Sequence, residues 1–262
     1  MTPSGSLILA LIALVSFCMS YLGAAVGLVL GQFRVVLLTY ALGSAAVGGA
    51  TSLAISTAAA IVGALVHVRE GRVNLALLAS VGGPSALTAY ASARYAGHAD
   101  PRFLKAAIAC VLLVTGLHML RPRRVLPRAS RPESAFPSGT RSFAGQAVLG
   151  ALLGAISGLV GLLLGSLRLP AMARLSGVAP ATAVGTNMAI GAITGISAGV
   201  TAAAGGSVDV VAFSVITPLT LIGAHYGARK TGGLDPATLT RWIAYALIPT
   251  ALLMLSEVAF LR

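Results

Sequence analysis

The chain has 262 residues, of which 57% are hydrophobic and only 9% are charged. A soluble domain carries roughly 25% charged residues and needs a polar surface, so this composition excludes an ordinary soluble enzyme and a disordered chain. The 18 Lys and Arg residues against 6 Asp and Glu give a net charge of +12. Because the basic residues lie between apolar segments, we attribute them to cytoplasmic loops and expect no nucleic-acid partner. The composition predicts an all-α polytopic integral membrane protein.

Apolar residues fall into eight long segments along the chain. About 20 apolar residues span the hydrocarbon layer, and the second and sixth segments are too long for one crossing. Each of these two begins with a short piece, 35–42 or 169–175, which predicts a short helix covering about a third to half of the layer. The segments are 7–30, 35–66, 75–97, 103–120, 143–166, 168–204, 210–228 and 238–260.

The same landmark residues recur in both halves of the chain at a nearly constant spacing of 134 or 135 residues. Such a register, kept over some 75 residues with a one-residue slip, predicts a first transmembrane repeat over 1–120, a linker over 121–142 and a second repeat over 143–262. The matched landmarks are Gly27 with Gly161, Gly31 with Gly165, Arg34 with Arg168, Thr51 with Thr186, Ser52 with Asn187, Asn74 with Asp209, Arg94 with Arg229, and Asp100-Pro101 with Asp235-Pro236.

Loop charge predicts the orientation of the two repeats. The loop at 67–74, the six-arginine linker and the loop after Ala228 are basic, which places them in the cytoplasm and both termini in the periplasm. Equivalent loops then lie on opposite sides of the membrane, as in inverted repeats whose broken helices meet near the midplane. Arg94, Arg102 and Lys105 are the exception, because they flank a loop assigned to the outside.

Residues for catalysis or for metal binding are missing from the expected positions. The linker contains Pro137-Ser138-Gly139-Thr140, which is similar to the PSGH box of membrane phosphatases, but Thr140 stands where the general-acid histidine is required. Cys18, Cys110 and the four scattered histidines lack metal-ligand spacing. We therefore expect no enzyme activity, no metal and no cofactor.

The segment around Arg168 has the features of an anion site at a helix N-terminus. Glycines loosen a helix and Pro170 is tolerated in a first turn, so a short helix is predicted to begin near Arg168. Its first turn presents free N–H groups and a partial positive charge, and the guanidinium adds a planar set of donors for a three-oxygen anion. The glycines are Gly161 and Gly165, and the first repeat has the same pattern without the proline at Gly27, Gly31 and Arg34.

Neither arginine has an acidic neighbour in its own segment. An unpaired arginine at membrane depth costs about 2.5–3.5 kcal/mol on insertion scales, so a bound anion is the counter-ion that we expect for Arg34 and Arg168. The alternative is that both side chains extend to the membrane interface. Four polar residues in the following segments either line the same cavity or hydrogen-bond across helices: Thr51, Ser52, Thr186 and Asn187.

In these residues the chain resembles the TauE/SafE family of sulfite exporters, or toluene-sulfonate uptake permeases. The family pattern is a glycine cluster, a Pro-Leu-type half-helix and an Ala-x-Gly-Thr-Ser/Asn box, once per half. The resemblance implies a secondary transporter, usually an exporter, of sulfite, organosulfonates such as sulfoacetate, or related anions across the bacterial inner membrane. The matching residues are Gly161, Gly165, Pro170 and 183–187 in the second half, and Gly27, Gly31, Ala50, Thr51 and Ser52 in the first.

Without the resemblance, composition and residue spacing predict only an anion transporter of unspecified substrate. A channel-like anion conduit and a non-transporting membrane subunit that binds a partner through the basic linker are the alternatives. The partners expected of a carrier are a small anion and the lipid bilayer. A coupling ion, H⁺ or Na⁺, and a homo-oligomeric assembly are left open.

Overall fold

The computed structural model describes residues 3–27, 30–96, 98–120, 140–176, 178–231 and 236–260. These residues form ten helices, which we number in chain order, and each half of the chain has one short helix in second place. The first half comprises α1 (Pro3–Val26), α2 (Gln32–Ala41), α3 (Ala45–Arg69), α4 (Leu75–Ala96) and α5 (Pro101–Leu120). The second half comprises α6 (Thr140–Val160), α7 (Gly165–Ser176), α8 (Pro180–Ala204), α9 (Val210–Arg229) and α10 (Pro236–Phe260).

The prediction of an all-helical multi-span membrane protein is confirmed. Within the described residues, seven helices are long and apolar enough to cross a membrane, namely α1, α3, α4, α5, α6, α8 and α9. Helix α10 adds a described apolar stretch over Ile243–Ala259. At 1.5 Å per residue, α2 and α7 reach only about half of the roughly 30 Å hydrocarbon layer, as expected for the two short helices.

Side-chain caps at the helix starts explain why several helices begin where they do. Ser44 accepts a hydrogen bond from the amide of Val47 at the start of α3. Asn74 and Asp209 do the same at the starts of α4 and α9, with donor–acceptor distances of 3.0 and 2.7 Å. Asn74 and Asp209 are 135 residues apart, and both halves begin the fourth helix in the same way.

Helices of one half pack directly against helices of the other half. Helix α1 packs against α9 of the other half, and α6 packs against α4 in the same way, while α3 packs against α8 and α5 against α10. Small residues allow these close approaches: a methyl group added to Gly154 or Gly227 would meet the backbone of the partner helix. An ion pair between Lys105 and Glu257 also joins α5 to α10. A hydrophobic core made from both halves results.

The helix breaks differ in detail from the sequence-based expectation. The prediction that the short helix of the second half begins near Arg168 is wrong, because α7 begins three residues earlier, at Gly165. Pro170 is therefore the sixth residue of α7 and does not lie in its first turn. A π-helical turn, which the hydrophobic pattern does not predict, lies over Leu78–Gly82 inside α4 and ends just before the helix-distorting Pro84.

Part of the predicted linker falls outside the described residues. Residues 121–139, which include all but one of its arginines, are not among them. Thr140, which was assigned to the linker, is instead the first residue of α6.

Candidate anion-binding site

The first turns of the two short helices face each other in the protein interior. Gln32 Nε2 of α2 donates a hydrogen bond of 2.9 Å to Ser166 Oγ of α7, and both residues are buried. The N–H groups in the first turn of each helix have no acceptor inside the helix, and the helix dipole adds partial positive charge there. The hydrogen bond between Gln32 and Ser166 therefore brings the positively polarised N-terminal ends of α2 and α7 together. Sequence reasoning missed it, although Gln32 and Ser166 follow Gly31 and Gly165 at the same 134-residue spacing as the two arginines.

Arg168 lies two residues beyond Ser166 and is only 2% exposed. Its Nε donates to Asn187 Oδ1 at 2.7 Å, and its Nη2 donates to the Asn187 carbonyl oxygen at 3.2 Å. Asn187 is also buried, and its Nδ2 donates to the carbonyl oxygens of Gly27 and Gly165 at 2.7 and 3.1 Å. The Asn187 side chain therefore holds the Arg168 guanidinium and both helix breaks in one network.

Arg34 occupies the equivalent position in the first half and is 5% exposed. Its Nη2 donates to the carbonyl oxygen of Ser52 at 3.2 Å and to the hydroxyl of Ser56, whereas its buried Nε has no hydrogen-bond partner. Ser52 Oγ donates to the carbonyl oxygen of Gly31, as Asn187 does to Gly165. Both arginines are therefore held by α3 or α8 through the same kind of contact.

Neither guanidinium extends to the protein surface, and neither has an acidic partner among the described residues. No ion pair within 4 Å joins Arg34 or Arg168 to an Asp or Glu in that part of the chain. Taking a cation out of water without a counter-ion costs several kcal/mol, even after the surroundings relax. The two positions therefore hold buried cations without an acidic partner in the described part of the chain, which is the electrostatic requirement for holding an anion.

The two threonines of the candidate set bond between the halves. Thr51 Oγ1 accepts a 2.9 Å hydrogen bond from the amide of Asp209, and Thr186 Oγ1 accepts one of the same length from the amide of Asn74. Both threonines are fully buried. Each therefore fixes the start of the fourth helix of the other half, which is the cross-helix alternative considered for these residues.

The breaks at the ends of α1 and α6 depend on Gly27 and Gly161. Their φ angles are +73° and +70°, in the left-handed region that side chains disfavour. Each glycine also lies against the long helix of the opposite half, Gly27 beside Val184 of α8 and Gly161 beside Gly49 of α3. Gly27 and Gly161 thus bring the ends of α1 and α6 against the opposite half of the chain.

Two cavities lie close to this network. One of about 20 Å³ is lined by Gly31, Arg34, Ser56, Met188 and Thr220, and it has room for a single water molecule. The other, of about 480 Å³, is lined by Gly49, Leu53 and Gly161 together with residues near the ends of α4 and α8. Arg168 lines neither cavity, so a cavity shared by Arg34 and Arg168 stays a prediction.

Pro170, the remaining residue of the candidate set, lies within α7. Among the described residues, no group of three or more His, Cys, Asp or Glu could hold a metal ion.

Comparison with known proteins gives one match. The family model described as sulfite exporter TauE/SafE matches residues 9–254, which is nearly the whole chain. No curated protein and no solved structure matches the chain significantly.

Proposed function

Because the chain belongs to the sulfite exporter TauE/SafE family of membrane transporters, we propose that it is a secondary carrier of small sulfur-containing anions such as sulfite or organosulfonates, sulfoacetate among them. The observation that carries the proposal is the pair of buried arginines without acidic partners among the described residues. A sulfite or sulfonate group offers three oxygens to planar guanidinium donors and to the N–H groups of a first turn. The usual family direction makes export from the cell the working hypothesis.

The anion is proposed to bind where α2 and α7 meet, with charge from Arg34 or Arg168 and N–H groups near Gly31 and Gly165. The cavity beside Arg34 has room for only one water molecule, so the conformation described here is closed around this site. Substrate binding therefore requires α2 and α3 to move relative to α8 and α9. Such a movement would let the anion contact one arginine at a time, because the inverted-repeat arrangement makes the two halves inequivalent in any one state.

Several observations support the inverted repeat. The hydrogen bonds of Arg34, Ser52 and Thr51 recur at Arg168, Asn187 and Thr186, and the packing of α1 on α9 recurs in that of α6 on α4. Both halves contain five helices in the order long, short, long, long, long. Inversion requires an odd number of membrane crossings in each half. Five crossings result if each short helix, together with the loop that follows it, carries the chain back across the membrane to the side on which that half began.

We expect the 121–142 linker to be cytoplasmic in the bacterial inner membrane and both termini to be periplasmic, because of the arginines in the linker. A cysteine introduced at Ser130, in a variant without Cys18 and Cys110, should resist a membrane-impermeant thiol reagent in intact cells. The same cysteine should react after the cells are opened, which is the internal control. Labelling in intact cells at the rate seen in opened cells would contradict this orientation.

Transport by the purified chain tests the function itself. Proteoliposomes should take up radiolabelled sulfite and sulfoacetate in a saturable manner, and unlabelled substrate should compete. Imposed gradients of H⁺ or Na⁺ identify the coupling ion by the one that accelerates uptake. Current that follows voltage without saturation would indicate a channel instead, and vesicles without flux would indicate a non-transporting subunit. Labelled sulfate measures selectivity in the same vesicles.

A further inference from the structure

The larger cavity forms a vestibule that leads from the surface to the helix breaks. At its inner end lie Gly49, Leu53 and Gly161, all buried, and at its outer end lie Arg94 and His98, both exposed. Its volume of about 480 Å³ is within the range of small-molecule sites, in contrast to the single-water cavity beside Arg34. The vestibule is large enough for an organic anion together with water.

Arg94 is the strongest charge at the mouth of the vestibule. Its guanidinium carbon lies 5.6 Å from the centre of the Tyr90 ring in a cation–π contact, and both residues line the vestibule. No Asp or Glu in the described residues forms an ion pair with it. The nearby Asp100 instead accepts hydrogen bonds from the amides of Arg102 and Phe103 at the start of α5. The charge of Arg94 is thus without a carboxylate partner.

His98 adds a second polar group beside Arg94. Its Nδ1 lies 3.2 Å from the carbonyl oxygen of Arg94, and since that oxygen can only accept, Nδ1 is the donor. This contact leaves Nε2 outside the hydrogen bond. The backbone contact therefore holds the imidazole against the end of α4, and both residues line the same opening.

The walls behind these two groups are mainly apolar. Leu53, Leu104 and Val200 line the vestibule together with small alanine and glycine residues, and Thr201 and Ser207 add hydroxyl groups. Ala202 also lines the vestibule, and the residue 135 positions before it is His67, at the opposite end of the bundle. His67 is fully buried, so this end has no matching basic mouth at that position. A basic mouth with apolar walls suits an anionic head group that carries a short carbon chain.

We propose that Arg94 and His98 form an anion-binding site at the mouth of the vestibule, which sulfite or a short-chain organosulfonate occupies on its path between the buried arginines and the outside. The identity of the anion rests on the proposed function, whereas the site itself rests on the vestibule and its charges. Basic groups at a cleft with low-dielectric walls raise the local concentration of anions and their association rates. The site should therefore be weak, dependent on ionic strength and separate from the buried site.

Thiol labelling inside the vestibule tests this site without any transport. In a variant lacking Cys18 and Cys110, Thr201→Cys places a thiol on the vestibule wall. Its reaction rates are measured on the purified full chain with an anionic sulfonatoethyl methanethiosulfonate and with its cationic trimethylammonioethyl counterpart. We expect Arg94→Gln to lower the anionic-to-cationic rate ratio roughly three- to tenfold at low salt, and Arg94→Lys to restore most of it.

Arg102→Gln is the matched control, because Arg102 lies near the same end of the bundle and does not line the vestibule. It should leave the ratio nearly unchanged. Methanesulfonate, added as an unreactive competitor, should slow anionic labelling in the Arg94 protein and not in Arg94→Gln. A ratio that is insensitive to Arg94→Gln, or equally sensitive to Arg102→Gln, would overturn the proposal. If these labelling results hold and the proteoliposomes show no flux, the vestibule site stands and the carrier function fails.

Discussion

Replacing Gly161 by alanine should prevent the protein from folding. The left-handed φ of +70° costs an alanine about 1–2 kcal/mol, and a methyl group there would lie 2.5 Å from the carbonyl carbon of Gly49 and 2.7 Å from its Cα. These are backbone atoms of α3, so no side-chain rotation can relieve the overlap. A total destabilisation above about 4 kcal/mol is expected, which is a large part of the stability of a typical protein. The measurement is the monodisperse fraction of a fluorescent fusion in size-exclusion chromatography.

Gly27→Ala is the matched control, since its φ of +73° imposes nearly the same conformational cost. Its methyl group would instead meet the side chain of Val184, with Cγ1 at 2.6 Å and Cβ at 2.8 Å. The second substitution Val184→Gly removes those atoms and gives this position the residue found at the equivalent Gly49. The double variant should therefore recover part of the monodisperse protein. Normal folding of Gly161→Ala, or its rescue by Val184→Gly, would contradict the account of these two breaks.

The repeat spacing made much of this site predictable. Gly27, Arg34 and their partners in the second half were identified from residue type and the 134-residue offset, and each marks a helix break or a buried cation in the structure. The start of α7 was misplaced because Pro170 was assumed to lie in a first turn. A glycine with positive φ ends the preceding helix at Gly161, and three residues then pass before α7 begins at Gly165.

Contacts between the halves could not be predicted in the same way. The hydrogen bond from Gln32 to Ser166 and the packing of α1 on α9 join residues far apart in sequence, and hydrophobic pattern gives no information on which apolar faces meet. Thr51 and Thr186 illustrate the same limit, since a hydroxyl group is equally suited to a substrate oxygen and to a backbone amide. Only the position of the opposite loop identifies the amides of Asp209 and Asn74 as their partners.

Substitution of Arg168 should weaken anion binding at the buried site. Arg168→Ala removes a buried cation. One charge-assisted hydrogen bond from this cation to a sulfonate contributes about 1.5–3 kcal/mol, so we expect a loss of roughly one to two decades in affinity. Arg168→Lys keeps the charge and loses the planar donor set, so it should bind with intermediate affinity. Arg34→Ala should also weaken binding. Calorimetric titration of the purified protein with methanesulfonate or sulfoacetate measures each affinity.

The lysine variant keeps the experiment decisive if an alanine variant fails to fold. The structure gives Arg168 two hydrogen bonds to Asn187, so its loss disturbs the network around Gly27 and Gly165 as well as the anion site. Lysine retains the cation and has three donors on a single ammonium nitrogen, and we expect Arg168→Lys to give monodisperse protein. Arg102→Gln, which changes an arginine remote from this network, should bind the sulfonate as the wild type does. If Arg168→Lys and Arg34→Ala are folded and bind with unchanged affinity, the buried arginines hold the helices together and do not bind the anion.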